Sequence, residues 1–181
     1  MTASAEDKLS FLANDFYDAL RWLFEGAVAW QAGALKQEIS RHQQLFAMST
    51  AVLQARALYE FFFSEQKAPD DARAQQFVAK WAVTKTEPYK NYMASGMPAN
   101  KRFFHLVFGR EFRSGGSGHH GPDHLNQQVL SFAKDISILA TSFVNAIDDP
   151  DLRTTAQEAL DKANQDGAEA AADYEIPNPF L

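Results

Sequence analysis

Apolar residues recur along almost the whole chain at steps of three and four, the spacing that gathers them on one face of a helix. Leu9, Leu12, Phe16, Leu20, Leu23, Ala27 and Trp30 make the first such stripe, which predicts a helix over about 5 to 32 that ends near Gly33. Ser4 is placed to cap it, and Glu6 and Asp7 complement the helix dipole in its first turn. A second helix is predicted over about 35 to 65. It opens polar at Lys36 to Gln44, then repeats Leu45, Met48, Val52, Ala55, Tyr59 and Phe62; its last turns, Phe61-Phe62-Phe63, belong in the core.

Pro69 with Asp70 and Asp71 reads as a stop and a fresh N-cap. A shorter helix over about 70 to 84 would then put Ala74, Phe77, Val78 and Trp81 on one side. Thr86 to Pro98, holding Pro88, Gly96 and Pro98, is expected to be an irregular connector with at most one helical turn. Asn100 can cap a further short helix, about 100 to 112, with Phe103, Phe104, Val107 and Phe108 as its apolar side. The run Ser114-Gly-Gly-Ser-Gly-His-His-Gly121 is a flexible loop by composition. From Pro122 the cleanest stripe follows, Leu125, Val129, Phe132, Ile136, Leu139, Phe143 and Ile147, and it stops at Asp148-Asp149-Pro150. The last helix, about 151 to 171, is thin in large apolar residues and is expected on the surface of the bundle. The tail from Tyr174 contains Pro177 and Pro179 and cannot be helical.

No window alternates apolar and polar as a half-buried strand does. The prediction is an all-α, single-domain helical bundle of three long and several short helices, with residues 1–149 as the bundle and 150–181 as an acidic helix and proline-containing tail. A chain of 181 residues is about one domain, long enough to bury roughly two-thirds of its unfolded surface. It has no cysteine, which excludes a disulfide, a thiolate metal site and a thiol nucleophile. Met1 to Asp7 is polar and acidic where a signal peptide is basic and then apolar, and no run approaches about 18 uncharged apolar residues. A cytoplasmic protein with no membrane partner is therefore expected.

Charge divides what the apolar pattern unites. The net charge is −6, yet Asp148 to Leu181 holds nine acids against Arg153 and Lys162, a net of −7. Lys80 to Arg113 holds seven bases against Glu87 and Glu111, a net of +5. A basic middle that the acidic last helix partly covers is the expectation.

Gly116-Ser-Gly-His-His-Gly121 matches G-x-G-x-x-G literally, but dinucleotide binding needs a preceding strand and a parallel sheet, and here a helix precedes it. His119, His120, Asp123 and His124 lie close in sequence, yet Gly121 and Pro122 interrupt the helical spacing that would make two imidazoles converge. Neither a metal nor a cofactor is expected. Arg113 and His119 form an Arg-x5-His spacing. A guanidinium can hold a phosphodiester bidentately while an imidazole moves the proton, and RNA supplies its own nucleophile in the 2′-OH. The segment from Asn100 to Arg110 offers a second set: Lys101 and Arg102 stand one turn before His105, and Arg110 follows it. Arg56 and Glu60 share a face of the second helix beside its phenylalanines, and with His105 they are expected to join one buried hydrogen-bonded network.

The residues Arg56-Ala-Leu-Tyr-Glu-Phe-Phe-Phe63, Asp70-Asp71, Trp81 and Asn100-Lys-x-x-x-His105-Leu106 with Arg110 resemble a set of bacterial all-helical proteins reminiscent of the HEPN superfamily. The likeness covers about Leu45 to Arg110 and rests on short motifs. It implies a helical bundle that is a metal-independent ribonuclease of toxin-antitoxin or phage-defence systems, or a non-catalytic relative that only binds. It also implies a homodimer pairing two arginine–histidine motifs. This chain departs from the pattern with Ala57 where an asparagine commonly follows the arginine, and with its Arg-x5-His in a glycine loop. Two functions are thus expected in competition. One is an RNA-binding or RNA-cleaving protein using His105, Arg110, Arg113 and His119 with Asn100, Lys101 and Arg102. The other is a helical module that binds a protein partner.

Overall fold

The computed structural model of the chain describes residues 3–36, 39–64, 71–94 and 122–179. The short helix expected over 100 to 112 and the glycine loop lie outside these, as do Asn100, Lys101, Arg102, His105, Arg110, Arg113 and His119. Among the described residues the only repetitive structure is helical, and the protein is an all-α bundle.

Ser4 opens the first helix with a capping box. Its Oγ accepts from the Asp7 amide at 3.1 Å, and the Asp7 carboxylate accepts from the Ser4 amide at 3.0 Å. The Ser4 hydroxyl, which donates to the same carboxylate at 2.7 Å, and then the Ser4 amide hold the Asp7 carboxyl below its ordinary value. Helix α1, Ala5–Phe11, runs through a π-helical turn, Leu12–Phe16, into α2, Tyr17–Lys36, without leaving helical backbone. Gly33 does not end the helix as expected. It is the point at which the next helix comes close: the Gln44 side chain donates to the Gly33 carbonyl at 3.0 Å and to that of Ile39 at 3.1 Å, and a Cβ on Gly33 would sit 2.4 Å from Gln44 Cγ.

The second helix begins later than its predicted start. Ser40 and Gln43 form another capping box, so α3 spans Arg41–Phe63. It runs antiparallel to α2, since Gly26 lies against Ala47 and Ala51, and Phe16 against Phe61 and Phe62. At its far end Phe61 and Phe62 join Phe16, Phe77, Trp81 and Phe143 in an aromatic core with ring centroids 5.1 to 6.4 Å apart.

Residues 71–86 correct the prediction of a helix over 70 to 84. Beyond one 3-10 turn, Ala74–Gln76, this stretch is irregular. Tertiary contacts outweigh a short stretch's weak helix propensity: Phe77 packs tilted against Phe11 and edge-on to Phe61, and Trp81 Nε1 donates to the Phe62 carbonyl at 2.8 Å. Asp71 pairs with Arg73 at 3.0 Å. Conversely the expected connector contains a two-turn helix, α4, Glu87–Ala94. Thr86 Oγ1 accepts from the Tyr89 amide at 3.3 Å, and Pro88 falls in the first turn, where its missing N–H costs nothing.

Helix α5, Pro122–Ala146, carries the cleanest stripe into the core through Val129, Phe132, Ile136, Leu139 and Phe143. Its segment Gln128–Ala146 is long and apolar enough, by length and composition, to cross a membrane. Asp149 Oδ1 accepts from the amides of Asp151 and Leu152 at 3.0 and 3.1 Å, and Pro150 takes the first helical position of α6, Pro150–Asp173. This helix was expected as an outer one. Its outward face is exposed, and its small side chains bring its other face close to α2: Leu152, Ala156, Ala159, Leu160 and Ala163 belong to the same core as α2, α3 and α5. It lies parallel to α2, with Tyr17 donating to Asp166 at 2.7 Å and Val28 and Ala32 meeting Ala171. The chain turns at Glu175, whose φ is 49°, and Ile176 docks on Val28 and Ala32. The boundary at Asp149 is a change of element within one core.

Candidate interaction groove

Of the residues expected to form a site, the structure describes Arg56 and Glu60. Their Nε and Oε1 atoms are 2.8 Å apart across one turn of α3, with side chains 29% and 45% exposed. Both are half-buried, and His105, the third member of the expected network, lies outside the described residues.

A pronounced concavity among the described residues lies elsewhere. Helices α3 and α6 flank the outer face of α2 and leave between them a groove of about 600 Å³. Trp22 from α2 and Phe46 from α3 line it, 43% and 72% exposed. Between them Gly26, Ala29, Ala47 and Thr50 make a shallow floor. Gly26 permits this closeness, for a Cβ there would lie 2.9 Å from the Ala47 carbonyl oxygen.

The rim is acidic. Among the described residues Glu25 from α2 and Asp166, Glu169 and Asp173 from α6 line the groove, against Arg21. Arg21 is largely spent on its neighbours: its Nε donates to Glu25 at 2.9 Å and lies 3.8 Å from Asp166, and its guanidinium sits 5.2 Å from the Trp22 ring. The bond to Glu25, reinforced by that carboxylate's charge, raises the Arg21 pKa above its ordinary value. Glu169 and Asp173 stand in the last turns of α6, where no basic residue offsets the partial negative charge of the helix end. The groove therefore combines aromatic surface with a negative field.

A smaller cleft of about 460 Å³ opens at the other end of the α2–α3 seam. Phe11, Asp15 and Ala19 face Ala57 and Glu60 across it, and Asp71 and Arg73 close its end. The Arg73 side chain is only 12% exposed; it pairs with Asp71 and donates to the Ala72 carbonyl at 2.6 Å, while its Nε is buried without a hydrogen-bond partner. Glu60 is thus in a cleft, among residues other than those the sequence suggested. On the opposite side of the bundle the buried Asp135 carboxylate accepts from Tyr59 at 2.8 Å and Thr86 at 2.6 Å, tying α5 to α3 and to the start of α4.

The sequence did carry a signal for the groove. Trp22 and Phe46 are large apolar residues that fall outside the stripes of their own helices, and an apolar residue off the stripe faces solvent or a partner. Comparison of the chain with protein-family models, curated proteins and solved structures finds no match.

Proposed function

We propose that the protein is a helical interaction module that binds a basic, amphipathic segment of a partner protein in the groove between α2, α3 and α6. The observation that carries this reading is the placement of exposed Trp22 and Phe46 among Glu25, Asp166, Glu169 and Asp173. Covering the remaining surface of the two rings, on the order of 100 Å² each, contributes about 2 to 3 kcal/mol apiece. The carboxylates select the sign of the partner and speed its arrival. They would repel a phosphate backbone, so this groove is not where RNA would bind.

The HEPN-like RNA reading is the alternative proposal, with His105, Arg110, Arg113 and His119 as its catalytic candidates. Support for it among the described residues is the exposure of Lys80, Lys85 and Lys90, with Lys85 lying 5.7 Å from the Tyr89 ring.

Tryptophan emission separates the two. Trp30 and Trp81 are buried, so a change on adding an amphipathic Lys/Leu helical peptide of about 18 residues reports Trp22. Saturable binding of this peptide is expected, with no binding of a Glu/Leu counterpart. Followed by anisotropy of the labelled peptide, Trp22→Ala and Phe46→Ala should each weaken it about tenfold. Peptide binding indifferent to both substitutions would overturn the groove reading. Binding of a labelled single-stranded RNA with a steep salt dependence, lost in Lys85→Ala and Lys90→Ala, would favour the alternative.

A further inference from the structure

We infer that the groove and the smaller cleft are two ends of one docking surface, which takes a single basic amphipathic helix lying along the α2–α3 seam; this rests on the groove reading above. The positions repeat in register. On α2 Ala19, Trp22, Gly26 and Ala29 follow at steps of three, four and three, so they share one face within about 40° either side, and Asp15 precedes them in the π-helical turn. On α3 Phe46, Thr50, Leu53, Ala57 and Glu60 follow at steps of four, three, four and three. Because the two helices are antiparallel, Ala29 comes beside Phe46 and Asp15 beside Glu60.

The two cavities occupy the two ends of this double stripe. The larger is lined by Trp22, Gly26, Ala29, Phe46 and Thr50, and the smaller by Asp15, Ala19, Ala57 and Glu60. Between them stands Leu53, a third large apolar residue left partly exposed. From Asp15 to Ala29 the seam is about 21 Å long, the length of a helix of four turns. Large side chains of such a helix would fit over Ala19, Gly26 and Ala57, where the surface is low, and between Trp22, Phe46 and Leu53, where it is high. This is the ridge-and-hollow match of helix-in-groove recognition.

Charge specifies the occupant further. Glu169 and Asp173 stand at one end of the surface with Glu25, which is paired with Arg21, and Asp15 stands at the other with Glu60 and Asp71, which are paired with Arg56 and Arg73. A helix with lysine or arginine near both ends and an uncharged apolar stripe between them complements this pattern. A compact basic group would engage one end alone.

Peptide length tests the inference. The Lys/Leu peptide of about 18 residues and a half-length version of it are titrated against the full chain and against Trp22→Ala, Ala57→Arg and Asp15→Lys. A Gln157→Arg variant on the exposed side of α6 controls for added charge. The long peptide should lose about tenfold in affinity at either end of the seam, whereas the short one should respond to Trp22→Ala only. Gln157→Arg should leave both unchanged. Should Trp22→Ala weaken the long peptide while Ala57→Arg and Asp15→Lys do not, the spanning surface is refuted and the groove stands. Should Trp22→Ala also have no effect, the groove reading falls with it. Ala57 and Asp15 are exposed, and far-UV circular dichroism verifies that each variant is folded.

Discussion

Asp135 does more for the core than its place in the sequence suggests. A buried carboxylate is costly unless hydrogen bonds replace its water, and here the Tyr59 and Thr86 hydroxyls both reach Oδ2. Tyr59→Phe removes one donor and should cost about 1 to 2 kcal/mol. Asp135→Ala leaves both hydroxyls without this acceptor and should cost more, about 2 to 4 kcal/mol. Urea unfolding of the two single variants and the double variant measures the coupling. An Asp135→Ala protein within about 0.5 kcal/mol of the parent would mean that the carboxylate holds nothing. None of this was legible beforehand, because Tyr59 and Thr86 are 76 and 49 residues away and only the fold brings them to α5. Trp22 and Phe46 are the opposite case. Their exposure follows from their own helical stripes, so the side of the groove they mark could be read before any packing was known.

Among the elements, what the sequence discloses depends on length. Stripes sustained over many turns predicted the long helices, because an apolar face of that extent has only one way to be buried. Over residues 71–86 the apolar side chains each find a separate partner, and no helix survives. Gly33 was misread for a related reason: a terminator and a close-contact glycine look alike until the neighbouring helix is in place. Gly26 and Gly33 differ in what a methyl group would meet. At Gly26 the obstacle is backbone, the Ala47 carbonyl oxygen at 2.9 Å and the Ala51 amide nitrogen at 3.2 Å. At Gly33 it is the Gln44 side chain, which can swing aside after giving up its two bonds. Alanine gains about 1 kcal/mol in helix propensity at either position. Overpacking against backbone costs about 1 to 3 kcal/mol, so Gly26→Ala should lower the melting temperature and Gly33→Ala should leave it nearly unchanged. A Gly26→Ala protein more stable than Gly33→Ala would contradict the close approach of α2 and α3.

At the scale of the whole molecule, the uneven charge acquires a different meaning from the one the sequence suggested. The −7 terminus was expected to cover the basic segment from Lys80 to Arg113. In the fold α6 lies along α2, where its Asp166, Glu169 and Asp173 line the groove, and of the basic segment only Lys80, Lys85 and Lys90 fall among the described residues. Nor is α6 removable, although its composition is mostly alanine and polar residues. Alanine contributes little area per residue, but its small size lets α6 sit close enough to bury Leu152, Leu160 and the side of α2 that carries Val28 and Ala32. A chain ending at Asp148 should therefore lose its cooperative unfolding transition, and Leu160→Ala alone should cost about 2 to 5 kcal/mol. If the shortened chain instead unfolds cooperatively and binds RNA more tightly than the full chain, the acidic end is a cover and not a structural helix. Charge and stability can also be separated within the folded protein, because Glu158 and Asp161 are exposed on α6 and line neither cavity. Neutralising both as Glu158→Gln and Asp161→Asn should leave peptide affinity within about twofold, whereas Glu169→Gln with Asp173→Asn should weaken it and make it less sensitive to salt. Equal effects from the two pairs would show that net charge, and not the groove, draws the peptide.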